Sequence, residues 1–351
     1  GTPNTVADIA DEMGAKLSLW MAIEDGCFLY EDKLTLGADS YIFDRSANGG
    51  KGVFGNDFRG ATLDLGREEV LQKALNMLRG YIDNQGVDMI RVDMNYSSLN
   101  KSWDYNDKKN ALANNLSSSM RAGITENHHV INFYRLWDTL YKEYPGRFLL
   151  DNCAGGARRV DIYMQKLGVA LWRTDLSASY LEQMQAHTQW ITPWVPFSGI
   201  GVVDSSFNHY QARSIFTACA GFDCHAQTNM EIGILKNKLD YFTAMRPYWS
   251  GDYYQILDVD YETDSWQAYQ LHREDLQKGM LVTIRRQNNK SSSQTIKLKG
   301  LWENATYRVH NIDEKKTTKD FVMTGKQLMT EGITISQNAK TIKIYEISIV
   351  E

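Results

Sequence analysis

Short apolar runs alternate with amphipathic stretches over about the first 225 residues of the chain. The runs have the length and composition of strands, and the stretches between them have helical periodicity. The predicted strands cover residues 16–21, 61–65, 88–93, 147–152, 169–175, 194–200 and 217–222. The predicted helices cover residues 6–13, 68–84, 130–144, 160–166, 181–190 and 210–216. This alternation predicts an α/β fold with a parallel sheet, because parallel strands are joined by crossover helices.

The number of strand and helix units predicts a (β/α)8 TIM barrel. Seven units precede the change of pattern near residue 250, and a barrel needs eight units over about 250 residues. Because a helix precedes the first predicted strand, we expect the missing first barrel strand to lie upstream of Gly1. An open sheet of seven units is the structural alternative.

The pattern changes to period-two alternation in the last hundred or so residues. The predicted strands there cover residues 280–286, 294–298, 305–310, 332–336 and 341–349, with polar turns between them. Such alternation is typical of an antiparallel β-sandwich. We therefore expect two domains in this chain of 351 residues, a barrel over 1–250 and a C-terminal β-sandwich over 251–351.

Composition and charge exclude several classes of protein. Hydrophobic residues make up 43% and charged residues 23% of the chain, which is a globular balance and excludes a disordered or collagen-like chain. The net charge is −5 and no basic block is present, so nucleic acid and anionic membranes are not expected partners. No apolar run reaches the roughly 18 residues that a membrane span needs.

Cysteine and histidine residues give no sign of a metal site or a disulfide framework. The 4 cysteines form no Cys-x-x-Cys pair, and we expect no metal and no organic cofactor. His128 and His129 are expected to be cap or surface residues rather than metal ligands. No leader peptide follows Gly1, and the compartment stays open between cytoplasmic and secreted or periplasmic.

Polar residues end several of the predicted strands, where a barrel places its active site. Arg91, Asp93 and Asn95 alternate at the end of one strand, so they point to the same side. Asp175 ends a later strand that also carries Trp172. Two carboxylates at one barrel mouth are the minimal requirement for glycoside hydrolysis, with one as nucleophile and one as acid.

The motifs at these strand ends resemble those of glycoside hydrolase family 36 of clan D, the α-galactosidases and α-N-acetylgalactosaminidases. They are Arg-x-Asp-Met-Asn at 91–95, Gly-Ile-Thr-Glu-Asn at 123–127, Asp-Asn-Cys-Ala-Gly-Gly-Ala-Arg-Arg-x-Asp at 151–161 and Leu-Trp-Arg-Thr-Asp at 171–175. Residues 266–275 and 279–286 are similar to the C-terminal domain of that family. The resemblance covers most of the chain.

The resemblance implies a retaining, exo-acting hydrolase of terminal α-linked galactosides in carbohydrate metabolism. Asp93 then matches the nucleophile and Asp175 the acid/base. The other residues that match the sugar site are Trp20, Arg91, Asn95, Cys153, Gly156 and Trp172. The expected partner is an oligosaccharide or glycoconjugate with a terminal α-galactose or α-N-acetylgalactosamine. Homo-oligomers are common among such barrels, but no feature of this sequence sets the number of subunits.

Departures from the family motifs keep alternatives open. The run Trp20-Met21-Ala22-Ile23-Glu24 lacks the first acid and the proline of the usual Trp-x-Glu-Pro-Glu, and the loop at 153–157 lacks the usual serine. An α-N-acetylgalactosaminidase on the same scaffold is one alternative function. A non-catalytic carbohydrate-binding relic is another, and a barrel enzyme of a different kind with Arg91 as a phosphate ligand is the last.

Overall fold

The computed structural model describes residues 5–24, 63–93, 99–156, 158–159, 161–168, 171–176, 179–222, 228–258, 265–314 and 320–350. The chain divides into two compact units, Gly1–Arg173 and Thr174–Glu351. The expected domain boundary at residue 250 falls inside the second unit and stays a prediction. Among the described residues, no helix is long and apolar enough to cross a membrane.

The first unit alternates short strands with helices, as the hydrophobic pattern predicts. Its strands are β1 (Ser18–Met21), β2 (Met89–Val92), β3 (Leu149–Asn152) and β4 (Leu171–Trp172). Its helices are α1 (Val6–Glu12), α2 (Glu68–Gln85), α3 (Leu99–Ala113), α4 (Ser118–Arg121), α5 (Ile124–Glu143) and α6 (Ile162–Leu167). The strands lie inside the ranges expected from the sequence and are shorter by two or more residues.

A parallel sheet in the order β1, β2, β3 organises the core of the first unit. Ile90 and Leu150 are register partners on neighbouring strands, and both are completely buried against helices α2 and α5. The helices contribute apolar side chains at helical spacing, among them Leu71, Leu75 and Leu78 of α2 and Phe133, Leu136 and Trp137 of α5. Because side chains alternate along a strand, the residues beside Ile90 and Leu150 face the opposite side of the sheet.

The second unit begins with helices and short strands and continues into a large antiparallel sheet. The helices are α7 (Leu181–Ile191), α8 (His209–Ser214), α9 (Asn229–Met245) and α10 (Gly325–Thr330), with 3-10 turns at Arg246–Ser250 and Glu274–Leu276. The short strands are β5 (Ser198–Gly199), β6 (Val202–Val203) and β7 (Gly221–Phe222), and β6 pairs with β7 in parallel.

The C-terminal strands are β8 (Asp252–Leu257), β9 (Trp266–Arg273), β10 (Lys278–Arg285), β11 (Ser293–Ile296), β12 (Thr306–Asn311), β13 (Phe321–Thr324), β14 (Ile333–Ser336) and β15 (Thr341–Ile349). Six of them form an antiparallel sheet in the order β13, β12, β15, β10, β9, β8, and β11 pairs with β14. The expected antiparallel sheet in the C-terminal part of the chain is therefore confirmed.

The six-stranded sheet is buried on both faces, with alternate residues contributing to different cores. In β10, Val282 packs with Phe242 and Trp249 from the helical part of the unit. Leu281, the neighbouring residue, packs instead with Ile296 and Ile335 of the β11–β14 pair. Period-two alternation produces this division, because successive side chains leave a strand on opposite sides.

Several helices of the structure differ from the sequence expectation: α3, α4, α9 and α10 are missing from the predicted elements, and α5 begins earlier than predicted. Helix α5 begins at Ile124 instead of residue 130, because Gly123 adopts a left-handed conformation with φ of 83° and starts the helix there. Helix α9 is missing from the predicted elements, although Thr228 and Glu231 form a capping box at its start. That pair of residues is the signal that would have predicted it. The predicted strand at 61–65 lies partly outside the described residues.

Candidate active site

The parallel register places three polar or aromatic residues in one row across the sheet of the first unit. Trp20 of β1 is the register partner of Arg91 in β2, and Arg91 is the partner of Asp151 in β3. Arg91 Nη1 lies 2.8 Å from Asp151 Oδ2, which makes an ion pair between neighbouring strands. The row therefore combines an indole, a guanidinium and a carboxylate on one face of the sheet.

Asp93 follows β2 directly and is held by donors from two other segments. Its backbone N–H donates to the carbonyl of Met21 at 3.0 Å, which extends the pairing of β1 and β2 by one residue. Its Oδ1 accepts from the backbone N–H of Gly155 at 3.0 Å, and its Oδ2 accepts from Nε1 of Trp20 at 3.3 Å. Hydrogen bonds from N–H groups favour the ionised form of a carboxyl group. Both carboxyl oxygens thus have a fixed direction at the end of the strand.

The loop after β3 owes its shape to two glycines. Cys153 still donates its backbone N–H to the carbonyl of Val92 at 2.8 Å, and the chain then turns sharply, with Ala154 N–H donating to the carbonyl of Gly156 at 3.0 Å. Gly155 and Gly156 have φ of 55° and 81°, a left-handed conformation that other residues adopt only at a cost in free energy. This turn directs the Gly155 N–H toward Asp93.

Burial sets the protonation of two groups beside Asp93. Burial raises the pKa of the Cys153 thiol to about 12, and the nearby charge of Asp93 adds to the rise, so the thiol is neutral at ordinary pH. Burial also raises the pKa of Asp151, although the positive charge of Arg91 and its hydrogen bond oppose the rise. The ion pair with Arg91 is therefore the main interaction that keeps Asp151 charged.

A second charged cluster lies in the same unit, and the sequence reasoning missed it. Glu24 is completely buried three residues after β1, with its Oε1 at 2.6 Å from Nε2 of His129 and its other oxygen in an ion pair with Arg159. The expectation for the two histidines is wrong for His129, which is 2% exposed on the inner face of α5, while His128 is exposed. The apolar spacing of α5 around position 129 is the signal that could have shown its burial.

The structure places part of the expected site on neighbouring strands of the first unit. Trp20, Arg91, Asp93, Cys153 and Gly156 all lie on β1, β2 and β3 or directly after them. Trp172 is in β4, Asp175 follows that strand with an exposed side chain in the second unit, and Asn95 lies outside the described residues. Asp151, which begins the motif at 151–161 but is not among the predicted site residues, joins the first group through Arg91. Among the residues that the structure describes, no group of three His, Cys, Asp or Glu residues could hold a metal ion.

Comparison with known proteins supports the family resemblance at the level of both domain and fold. Residues 266–345 match the model of the glycosyl hydrolase family 36 C-terminal domain. Alpha-galactosidase Mel36A of Lactobacillus acidophilus is 26% identical over 172 residues, which are 48% of this chain and 21% of that protein. The resemblance to glycoside hydrolase family 36 is therefore confirmed.

Solved structures of family 36 α-galactosidases share the fold over nearly the whole chain. AgaB from Geobacillus stearothermophilus has a TM-score of 0.72 at 17% identity, covering 99% of this chain and 47% of its own. A variant of AgaA from the same organism, solved with raffinose, has a TM-score of 0.70 at 16% identity, covering 98% of this chain and 46% of its own. The chain thus spans less than half the length of these relatives.

Proposed function

We propose that this chain forms part of a retaining, exo-acting glycoside hydrolase that cleaves terminal α-linked galactosides. The observation that carries the proposal is the position of Asp93, directly after β2, with its two oxygens oriented by Gly155 and Trp20. The fold proposed around it is a (β/α)8 barrel over residues 1–250 that continues into a β-sandwich over 251–351. Mel36A, AgaA and AgaB are α-galactosidases by name.

In the proposed mechanism, the ionised Asp93 attacks the anomeric carbon while Asp175 protonates the departing glycosidic oxygen. The bond to the leaving group breaks, and a covalent β-linked glycosyl ester forms on Asp93. Asp175, now ionised, takes a proton from water, whose oxygen attacks the same carbon and releases Asp93. Two inversions give net retention. The two N–H donors on Asp93 suit this role because a carboxylate nucleophile has to stay ionised and correctly oriented.

The residues around Asp93 supply the contacts that the sugar needs. The Arg91 guanidinium, held by Asp151, would donate to sugar hydroxyls, and the neutral thiol of Cys153 with the compact turn at Gly156 would lie along the ring near C2. The half-exposed Trp20 indole offers an apolar surface for the sugar. Trp172 and Asn95 complete the proposed sugar site. The chemistry of all these groups requires no metal and no organic cofactor.

The proposed substrate class is supported by the relatives and by the loop after β3. Variants of AgaA have been solved with raffinose and with stachyose, which are oligosaccharides with terminal α-galactose. Gly155 stands in the turn next to Asp93 where the family motif usually has a serine, and the smaller residue would favour a larger substituent at C2. An α-N-acetylgalactosaminidase is therefore the second candidate, and relative rates on the two aryl glycosides separate the two functions.

The decisive experiment compares two Asp→Asn variants at opposite ends of β2 in the whole protein. Asp93→Asn should lower turnover of an aryl α-galactoside by at least about 10³-fold, because an amide cannot form the glycosyl ester. Asp88→Asn is the matched control, since Asp88 pairs with Lys16 at the other end of the strand. Near-normal turnover by Asp93→Asn would overturn the proposed function. Nuclear magnetic resonance of the first-formed product should show the α anomer if the mechanism is retaining.

A further inference from the structure

The cluster of Glu24, His129 and Arg159 is a charged group in the first unit, centred on the completely buried Glu24, which no step of the proposed mechanism uses. Burial alone would raise the pKa of Glu24, but the charge of Arg159 and the hydrogen bond with His129 outweigh it and lower this pKa to about 2. The carboxylate therefore stays ionised inside the unit. Burying a charge costs free energy unless the charge is paired. An ion pair in this position therefore calls for a structural or functional role.

Arg159 connects this cluster to the loop that contacts Asp93. Its backbone carbonyl accepts from Nδ2 of Asn152 at 3.0 Å, which ties the end of the loop to the end of β3. Its guanidinium carbon lies 4.4 Å from the centroid of the Phe133 ring and its side chain pairs with Glu24. Position and orientation of the guanidinium are thus set by an anion on one side and an aromatic face on the other.

Two contacts therefore hold the loop, one near its start and one at its end, and their partners follow two different strands. Near its start, the Gly155 N–H donates to Oδ1 of Asp93 after β2. At its end, Arg159 pairs with Glu24 after β1, and Glu24 is itself anchored by His129 of α5. The first contact is a single hydrogen bond from a backbone donor, whereas the second is an ion pair with a completely buried carboxylate. The second contact therefore determines whether the first hydrogen bond keeps its geometry.

We infer that Glu24 and Arg159 are positioning residues, whose ion pair holds the loop so that the Gly155 N–H stays on Asp93. This inference rests on the proposed function, in which Asp93 is the nucleophile. The ion pair touches neither the sugar nor the reacting atoms. It acts on the reaction through the orientation of one backbone donor, and a displacement of about 1 Å in such a donor is enough to lower a rate by roughly 10²-fold.

The test measures kcat, KM and the pH profile of the whole protein carrying Arg159→Gln or Glu24→Gln. We expect kcat to fall by about 10- to 100-fold while KM changes less than about threefold. The acidic limb of kcat/KM should move to higher pH, because Asp93 loses a donor that favours its ionised form. Arg159→Lys keeps the charge without the planar guanidinium, so its kcat should lie between those of the parent and Arg159→Gln.

Arg135→Gln is the matched control, because Arg135 lies on the same helix as His129 and its ion pair with Glu68 is exposed. It should keep kcat within about twofold. If a single variant does not fold, the same measurements are made on the double variant Glu24→Gln/Arg159→Gln. That variant removes both charges of the ion pair and so leaves neither partner buried without the other. The double variant should show the same loss of kcat and the same shift of the acidic limb.

Two results would overturn the inference. One is a folded Arg159→Gln or double variant with the parent's kcat and acidic limb, and the other is an equal loss of kcat in Arg135→Gln. If Asp93→Asn is inactive in the same assay while Arg159→Gln is normal, the positioning role fails and the proposed function stands. If Asp93→Asn is active, the proposed function fails, and the inference fails with it.

Discussion

Arg91 and Asp151 are register partners on adjacent parallel strands, and their side chains form an ion pair of 2.8 Å across the sheet. The pair lies on the face opposite the apolar core, beside Trp20 and the carboxylate of Asp93. A cation two residues before Asp93 is visible in the sequence. Its ion pair with Asp151, sixty residues later in the chain, is evident only from the strand pairing.

Replacing Arg91 should therefore destabilise the first unit as well as weaken sugar binding. Arg91→Met leaves Asp151 mostly buried without its cation, and we expect the free energy of unfolding to fall by roughly 2–4 kcal/mol. Chemical denaturation measures this change. The double variant Arg91→Met/Asp151→Leu should regain part of the lost free energy of unfolding, because it leaves no unpaired charge buried. The more exposed pair of Arg79 and Glu143 provides the control, where Arg79→Met should cost less than about 1 kcal/mol.

Removing the proposed acid should have an effect that depends on the leaving group. Asp175→Ala should lower kcat/KM by about 10²- to 10⁴-fold on an α-galactoside with an alkyl leaving group. An aryl leaving group of low pKa departs without a proton, so kcat/KM for such a substrate should fall much less. Steady-state kinetics on a series of leaving groups checks this. An equal loss across the series would contradict the role of Asp175 as the acid.

The two neighbouring leucines at the start of β3 should differ strongly in their contribution to stability. Leu150 is completely buried between the sheet and the helices, whereas Leu149 is 36% exposed. Leu150→Ala should lower the free energy of unfolding by about 2–5 kcal/mol because it leaves a cavity in the core. Leu149→Ala should lower it by less than about 1 kcal/mol. Similar values for the two variants in urea denaturation would show that β3 has a different register.

The C-terminal domain should lose stability in mild acid because of one buried histidine. Burial lowers the pKa of His272 from its usual 6.5, against the opposing charges of Asp252 and Glu274. The unfolded chain then takes up a proton at higher pH than the folded one. The contribution of His272 is therefore complete above about pH 6.5 and declines as the pH falls below it.

Thermal unfolding between pH 7.5 and 5 measures this loss, with His272→Gln as the test variant. The melting temperature of the variant should fall less over this range than that of the parent, because its side chain does not titrate. The exposed His128 provides the control, since His128→Gln should keep the parent's pH dependence. An unchanged slope in His272→Gln would show that other groups cause the loss.

The sequence by itself determined the order and kind of most elements, since periodicity in apolar residues reflects which face of a strand or helix is buried. The alternation at 278–285 and the spacing in α2 are examples, and these elements are close to the expected ranges. It also placed Asp93 at a strand end, because a polar residue directly after an apolar run marks the point where the strand leaves the core.

Only the tertiary structure decided which distant residues surround Asp93 and what state they are in. Strand register put Asp151 opposite Arg91, and the packing of α5 brought His129 to Glu24 across 105 positions of sequence. Register, burial and the resulting protonation depend on long-range packing, which local periodicity does not encode. The lowered pKa of Glu24 and the raised pKa of Cys153 are consequences of that packing, because the same residue types in solvent have ordinary pKa values.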